Sequence, residues 1–581
     1  MSNYVYEPLV YDDQIRILTL MPGSDRDPLE CAMSSIRLSS ISASSSVNTW
    51  TWGHKQFTEK LMDTGLLNGQ GPQGDVRAPA YTFYCHRIED ALIAYDALSY
   101  TWGDPEKVEE IQVNGKRLPI ARNLYMGLLH LRDPKERRRL WADAVCINQD
   151  ENNERNHQVK MMQKVYLFAS SVIFWLGELE PDSALTLDMI LDYNNHLKDR
   201  ANITSYHPNA LIGLSRLFQN PWWRRIWIVQ EVVAARELVI LLGRTSFPWV
   251  YMREVCLGIR RTEFTTFPAA LHLESCAYLK FRDLDSFRTD RAMPIVHLLR
   301  STHDYQATDP RDKLYALLGM ASDISTEDIV PDYNKPAHTV FQDLIHILAV
   351  RRGNLDLICL GQWPGANRQN TSFWLPPQPT AANIEPVDRA SLPHQAAANT
   401  RARVDMSRFP RLLFAEVAIV DTVGASRHIF TVMYNFESTL QEWRDASTSG
   451  ENVDYHLLVT ILLAEEQKIY QESDESRSLL RIQNNARSRK TERMSDPNTR
   501  PTVGKRFLVT KQGRVGIGPP EAQTGDKVIV LKGCHVPLII RAGQDHWVVI
   551  GEAYVSGMMC VEIISGFESG RHKTVWMPLK L

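Results

Sequence analysis

The sequence predicts a mixed α/β protein, in which a parallel sheet flanked by helices is followed by a mostly helical region and a small β-rich C-terminal domain. Over residues 81–260, short apolar runs alternate with amphipathic segments of helical length. That order is typical of a parallel sheet with helices on its faces. Residues 504–581 alternate β-rich runs with turns, which indicates a β module. We expect the intervening residues 261–362 to be mostly helical.

Strand signals begin near the N-terminus. Residues 15–23 form an apolar run that ends in Pro-Gly, which predicts a short strand closed by a turn. Residues 93–102 mix apolar and small side chains, as a buried strand does. Residues 109–120 predict a hairpin, because Asn114-Gly115 is the preferred two-residue turn between alternating apolar positions.

The helices that follow are predicted from the spacing of apolar residues. Asn123 is expected to cap a helix whose leucines share one face. A second buried strand is predicted over 138–147, a helix over 155–170 and a third strand over 171–177. Within 217–243, a helix begins at an Asn-Pro pair and an apolar strand follows it.

Two compositional shifts divide the chain further. Residues 39–80 are rich in Ser, Gly and Pro, which predicts a disordered insertion. Residues 481–503 are polar and basic, which predicts a linker. The predicted divisions are a β segment over 1–38, the insertion over 39–80, the α/β domain over 81–260, the helical region over 261–362, a linker or excursion over 363–410, a mixed α/β region over 411–480, the linker over 481–503 and the β-rich module over 504–581.

Composition narrows the possible functions. The formal net charge is -3 over 581 residues, which provides no broad basic surface for nucleic acid. The eight cysteines are far apart and form no CxxC pair, so we expect free thiols and no metal site. No apolar run is long enough for a membrane-spanning helix, and the first residues do not have the pattern of a signal peptide. We therefore expect a cytoplasmic protein, with the nucleus as the alternative.

Several segments, taken in order, resemble one fungal family, the heterokaryon incompatibility (HET) domain proteins. Each segment alone is a weak signal, and their shared order carries the resemblance. The matching segments are YDALSYTWGDP (95–105), VNGKRLPIARNLYMGLLHLR (113–132), LWADAVCINQDENNERNHQVKMMQKVYLFASSVIFWLG (140–177), NPWWRRIWIVQEVVAAR (220–236), DPRDKLYALLGMASD (309–323), IVPDYNKP (329–336) and a C-terminal stretch over 525–559.

The resemblance implies a fold and a chemistry. HET domains are thought to resemble the flavodoxin-like TIR fold, and some TIR domains cleave NAD at the nicotinamide–ribose bond. By order of elements, Glu231 takes the position of the catalytic glutamate, and NAD would be the substrate. The ligand would lie at the C-terminal ends of the parallel strands. The residues expected to line it are Ser99, Tyr100, Trp102, Gly103, Asp143 and Trp227.

Structural roles compete with these assignments. Glu231 could simply pair with Arg224 or Arg225, which precede it by one or two helical turns. Asp143 lies among apolar residues and needs a partner, either Arg155 or a backbone donor. Cys146 lacks a neighbouring histidine motif, so a buried thiol is the better interpretation than a nucleophile. Trp102 could equally be a core residue.

Three functions remain open at this point. The first is a cell-death effector in heterokaryon incompatibility, which responds to a partner from a non-self source and cleaves NAD. The second is a non-enzymatic module that signals by self-association, as some TIR domains do. The third is a scaffold or regulatory protein outside incompatibility.

Overall fold

The computed structural model describes residues 2–40, 94–104, 108–178, 183–195, 206–261, 281, 284–288, 293–302, 305–359, 400–405, 407, 413–429, 506–555, 558 and 573–580. Most of the predicted insertion (39–80), of the predicted linker or excursion (363–410) and of the predicted mixed region (411–480) lies outside these residues, as does the whole predicted linker over 481–503. The chain divides into two compact units. The first contains residues 1–291 with 331–333, and the second contains residues 292–330 with 334–581.

Strands and helices alternate through the first unit. Its strands are β1 (Gln14–Leu20), β2 (Glu30–Arg37), β3 (Asp96–Ser99), β4 (Val108–Val113), β5 (Lys116–Ala121), β6 (Arg138–Trp141), β7 (Val172–Trp175), β8 (Leu238–Leu242) and β9 (Thr245–Pro248). Its helices are α1 (Arg122–Leu131), α2 (Asp143–Cys146), α3 (Asn152–Phe168), α4 (Ser183–Asn195), α5 (Pro208–Phe218), α6 (Trp227–Ala234) and α7 (Trp249–Arg261), with a 3-10 turn at Pro221–Arg224.

These nine strands form one sheet in the order β5-β4-β2-β1-β6-β3-β7-β8-β9. The four neighbours β6, β3, β7 and β8 run parallel. In the chain, β3 comes first, followed by β6, β7 and β8. In the sheet, β6 lies on one side of β3 and β7 and β8 lie on the other, so the strand order reverses beside β3. The apolar strand β7 is buried along its whole length, and β8 is buried at four of its five residues, as strands between layers of helices must be.

The sheet is mixed, which corrects the prediction of a parallel sheet. Strand β1 inserts antiparallel between β2 and β6, and β4–β5 and β8–β9 are antiparallel hairpins. The two-residue turns within β4–β5 and β8–β9 force these strands to pair antiparallel, because a parallel connection needs a crossover of a dozen residues or more. The predicted Asn114-Gly115 turn is confirmed, since both residues have positive φ angles, of 52° and 73°.

The strand predicted over 138–147 is too long. It ends at Trp141, and Asp143–Cys146 forms the helical turn α2. The amide of Cys146 donates to the carbonyl of Ala142 at 2.8 Å, so the backbone satisfies its hydrogen bonds locally once it leaves the sheet. This turn moves Asp143 out of the strand, so that it lies at the C-terminal end of β6, at the edge of the sheet where the parallel strands end.

The second unit begins with helices and ends with strands. The helices are α8 (Ile295–Ser301), α9 (Asp312–Leu318) and α10 (Ala337–Ile347). The strands are β10 (Val404–Asp405), β11 (Leu413–Ile429), β12 (Arg506–Thr510), β13 (Val515–Gly518), β14 (Lys527–Leu531), β15 (Leu538–Ala542), β16 (Trp547–Glu552), β17 (Tyr554–Val555) and β18 (Thr574–Lys580). Among the helices described in either unit, none is both long and apolar enough to cross a membrane.

The strands of the second unit close into a ring. The path β14-β15-β16-β18-β11 returns to its start because β11 also pairs with β14. Strand β11 can do this because its 17 residues reach several partners, with β18 and β12 among them. The β-rich region begins with β10 at Val404, which pairs with β11, and this is earlier in the chain than the predicted module. Closure leaves these strands no open edge, which is the usual way to avoid edge-to-edge aggregation.

Candidate functional site

A buried polar cluster lies at the C-terminal end of β3. Ser99 ends that strand and Glu231 lies in α6, and each residue is about 1% exposed. The Ser99 hydroxyl donates to the Glu231 carboxylate, and the indole N–H of Trp222 donates to the Ser99 oxygen at 2.7 Å. The Nη2 atom of Arg225 lies 3.6 Å from Oε1 of Glu231. Glu231 is thus held by a neutral donor on one oxygen and faces a guanidinium on the other.

The Asn-Pro sequence before α6 builds one side of this cluster. The Asn220 side chain accepts from the amide of Trp222 at 2.9 Å, which caps the 3-10 turn. Its amide group donates to the carbonyl of Leu176 at 2.7 Å. Because Asn220 thereby ties the turn to the end of β7, Trp222 packs on Phe174 with ring centroids 4.6 Å apart. The local sequence therefore directs the Trp222 indole toward Ser99.

Burial and charge set the protonation properties of the cluster. Burial raises the pKa of Glu231, while the Arg225 guanidinium and the Ser99 hydrogen bond oppose that shift. Burial alone would lower the pKa of Arg225, but the Glu231 and Asp143 carboxylates outweigh it and raise the pKa. Tyr166 is fully buried beside these groups, and its pKa also rises. The pair is therefore a guanidinium beside a carboxyl group that is easier to protonate than an exposed glutamate.

A second, more exposed pair lies at the same edge of the sheet. The Trp102 side chain is 48% exposed, and its indole N–H donates to Oδ2 of Asp143 at 2.9 Å. The other carboxylate oxygen of Asp143 accepts from the amide of Ala144 at 2.8 Å. The predicted backbone donor is thus present. The alternative partner, Arg155, instead lies over the ring of Tyr333, 4.0 Å from its centroid.

The loop that carries Trp102 is fixed by Asn123. The Asn123 amide group donates to the Thr101 carbonyl at 2.6 Å, and its oxygen accepts from the Trp175 indole at 3.0 Å. Gly103 has a φ angle of 76°, and a Cβ there would lie 3.2 Å from Cβ of Asn123, so glycine is required. The prediction that Asn123 caps α1 is wrong. The helix already begins at Arg122 and has no side-chain cap.

Most of the predicted ligand residues meet at this edge. Ser99 ends β3, Tyr100 and Trp102 follow it, and Asp143 follows β6. Glu231 lies against Ser99. Burial raises the pKa of the Tyr100 hydroxyl, and the Asp143 carboxylate raises it further. Trp227 is half-buried at the start of α6, one turn before Glu231, and Gly103 shapes the loop. Whether these residues bind a ligand stays a prediction.

Two residues of the site, Trp222 and Asn123, are not recognisable from the sequence. The Asn-Pro-Trp-Trp sequence marks a tight turn, but it does not reveal that the indole of Trp222 reaches Ser99, 123 positions earlier. The position of Asn123 in the sequence predicts a local helix cap. Its actual partners lie 22 and 52 positions away, where sequence spacing carries no signal.

Cys146 lies beneath the site without taking part in it. Its side chain is fully buried, and burial raises the pKa of its thiol to about 12. The thiolate is the nucleophilic form of cysteine, so Cys146 is a core residue at neutral pH. Among the residues that the structure describes, no group of three or more His, Cys, Asp or Glu side chains could hold a metal ion.

Comparison with known proteins identifies the family. Residues 95–231 match the family model of the heterokaryon incompatibility protein (HET), and residues 431–571 match that of the Het-6 beta-barrel domain. The heterokaryon incompatibility protein 6, OR allele, of Neurospora crassa is 24% identical over 81% of this chain and 90% of its own length. No solved structure matches. The two domains, matched in one chain, together with this relative, support a fungal protein of the heterokaryon incompatibility (HET) family.

Proposed function

We propose that this protein acts in heterokaryon incompatibility, where its HET domain responds to a non-self partner and promotes cell death by cleaving NAD. The family and the name of the Neurospora crassa relative support the role in incompatibility. One observation carries the chemical part of the proposal. A glutamate, a serine and an arginine meet at the C-terminal ends of the parallel strands, beside an exposed tryptophan.

The topology supports a ligand at this edge. In open α/β sheets, ligands bind outside the C-terminal ends of the strands, where the strand order reverses. The order β6-β3-β7-β8 reverses beside β3, and Ser99 is the last residue of that strand. The same second-first-third-fourth order is found in flavodoxin-like folds. We therefore keep the TIR-like fold as part of the proposal.

The proposed reaction is hydrolysis of the nicotinamide–ribose bond. The bond from C1′ of the ribose to the ring nitrogen breaks, and its electron pair neutralises the positively charged ring. Water adds to C1′ and releases a proton. The Glu231 carboxylate would stabilise the positive charge that develops on the ribose. Arg225 opposes the effect of burial on Glu231 and so favours the ionised carboxylate that this role requires.

The burial of Glu231 implies a closed resting state. At 1% exposure the carboxylate cannot touch a ribose, so activation must first expose it. The same burial favours a second candidate function, an assembly module without enzyme activity. In that case the network of Ser99, Glu231 and Arg225 only stabilises the domain.

The deciding experiment measures NAD and cell death together. The full-length protein and its Glu231→Gln variant are expressed in a fungal host, and the purified proteins are incubated with NAD at high concentration. Glu237→Gln, an exposed glutamate just beyond α6, is the matched control. We expect nicotinamide release and loss of cellular NAD in the native protein and the control, and neither in Glu231→Gln.

Two results would overturn parts of this proposal. Toxicity with an unchanged NAD concentration would contradict the proposed enzyme activity and favour the assembly module. If the native protein is not toxic and releases no nicotinamide, the proposed role in cell death is contradicted. Equal thermal midpoints of native protein and variant are required, so that loss of activity is not confused with loss of fold.

We also propose a cytosolic location. Cys31, Cys146, Cys256 and Cys534 are buried free thiols, which are typical of a reducing compartment. Imaging of the tagged full-length protein in fungal cells tests this proposal, and an exclusively nuclear signal would contradict it.

A further inference from the structure

We propose that Trp102 and Asp143 form a subsite for a planar, positively charged ring, and that this subsite discriminates by charge. Under the function proposed above, the ring is the nicotinamide ring of NAD, which is positively charged before cleavage and neutral afterwards. Binding of a charged ring at this subsite can be measured without any cleavage.

The first support is an exposed indole that is held rigidly. Trp141, Trp175, Trp222 and Trp223 are fully buried in the same unit, while Trp102 is 48% exposed. A single exposed apolar side chain is ordinary on a protein surface. Trp102 differs because its N–H is fixed by the Asp143 carboxylate and the loop around it is fixed by Asn123. It therefore presents a ring face to solvent in a defined orientation.

The second support is the balance of charge. Glu231 and Asp143 are both close enough to raise the pKa of Arg225, which lies 3.6 Å from Glu231. One guanidinium thus faces two carboxylates. The Asp143 carboxylate accepts hydrogen bonds from the indole N–H of Trp102 and the amide of Ala144, which are both neutral donors. Asp143 is half-buried, so its charge is screened less than that of a fully solvated aspartate.

These two features favour a cation over a neutral ring of the same shape. The face of an indole carries negative charge and attracts a cation within about 6 Å of the ring centre. Because the Asp143 carboxylate accepts a hydrogen bond from the indole N–H, it places a negative charge at the edge of the same ring, which adds Coulomb attraction. A neutral ring would gain only the stacking contact. The neutral product of cleavage would therefore bind more weakly than the charged group of the substrate.

The test compares two small molecules that differ mainly in charge. The full-length protein is titrated by calorimetry with 1-methylnicotinamide, which is a cation, and with nicotinamide, which is neutral. We expect the cation to bind about tenfold more tightly, which lies within the range of a partly desolvated cation–π contact. We expect Trp102→Leu and Asp143→Asn each to reduce the preference to about twofold or less.

The matched control is Trp576→Leu, a tryptophan of similar exposure, 52%, in the other unit. It should leave both affinities unchanged. Equal affinity of the native protein for the two compounds would overturn the proposal, and so would a preference that survives in Asp143→Asn. Asp143→Asn keeps the size of the side chain, so it tests the charge even if Trp102→Leu unfolds. A preference for the cation without NAD cleavage would support the subsite and contradict only the proposed enzyme activity.

Discussion

Replacement of Arg225 by methionine should destabilise the first unit, because it leaves the Glu231 carboxylate buried without a counter-charge. Methionine retains the aliphatic bulk of the arginine and removes its charge. Removing one partner of a buried ion pair costs about 3–5 kcal/mol. Two unit charges at the observed 3.6 Å interact by about 5 kcal/mol at an effective dielectric constant of 20, which agrees with that range.

The destabilisation should depend on pH in a defined direction. The folded-state pKa of Glu231 is raised from 4.5 by burial, and Arg225 opposes this shift. Without Arg225 the folded-state pKa rises further, so the folded variant holds a proton that the unfolded chain releases. Its unfolding free energy is then highest below the ordinary glutamate pKa and falls as the pH rises through the raised value. The variant should lose more stability at about pH 8 than at about pH 5.

The assay is thermal unfolding of the full-length protein by calorimetry at these two pH values. For a unit of this size, 3–5 kcal/mol corresponds to a fall of about 10 °C in the midpoint of its transition. Arg224→Met is the matched control, because Arg224 is exposed and its replacement should have almost no effect. The double variant Arg225→Met/Glu231→Gln should be more stable than Arg225→Met alone, because a neutral amide needs no counter-charge.

Two observations would refute this reasoning. If Arg225→Met melts at the temperature of the native protein, the pair does not stabilise the fold. If the double variant is no more stable than Arg225→Met, the cost arises from lost packing and not from the uncompensated carboxylate.

The remaining predictions concern the core beneath the site. Arg16 is 3% exposed and binds both oxygens of Glu154 at 2.5 and 2.9 Å, so Arg16→Met should lower the melting midpoint by several degrees. Arg37→Met removes an exposed ion pair with Asp13 and should change the melting midpoint by little. Equal falls in the midpoint for the Arg16 and Arg37 variants would contradict the role of burial. Cys146, with a pKa of about 12, should resist alkylation in the folded protein at pH 8, and mass spectrometry showing labelling as fast as in a peptide would disprove its burial.

Much of the α/β unit could be predicted from local sequence. The Asn114-Gly115 turn is specified by two residues that tolerate positive φ. The buried face of α1 follows from leucines at helical spacing, since Leu124, Leu128 and Leu131 are all buried. These features depend on neighbours within a few positions, so the order of the residues already contains them.

The candidate site could be predicted only in part. The possible pairing of Glu231 with Arg225 was apparent because the two residues are six positions apart. Its hydrogen bond to Ser99 spans 132 positions, and nothing in either local sequence indicates it. The same holds for Asn123, which looks like a helix cap until the fold brings Thr101 and Trp175 to its side chain.

The sequence by itself determined most of the helices and strands, the hairpin and the resemblance to one family, because turn chemistry, apolar spacing and ordered motifs are local properties. The tertiary structure decided the position of β1 between β2 and β6, the helical turn at Asp143 and the closure of the C-terminal ring. It also decided that Glu231 is buried while Trp102 is exposed. Burial and pairing depend on which distant residues surround a side chain, and those surroundings set its pKa and its access to a ligand.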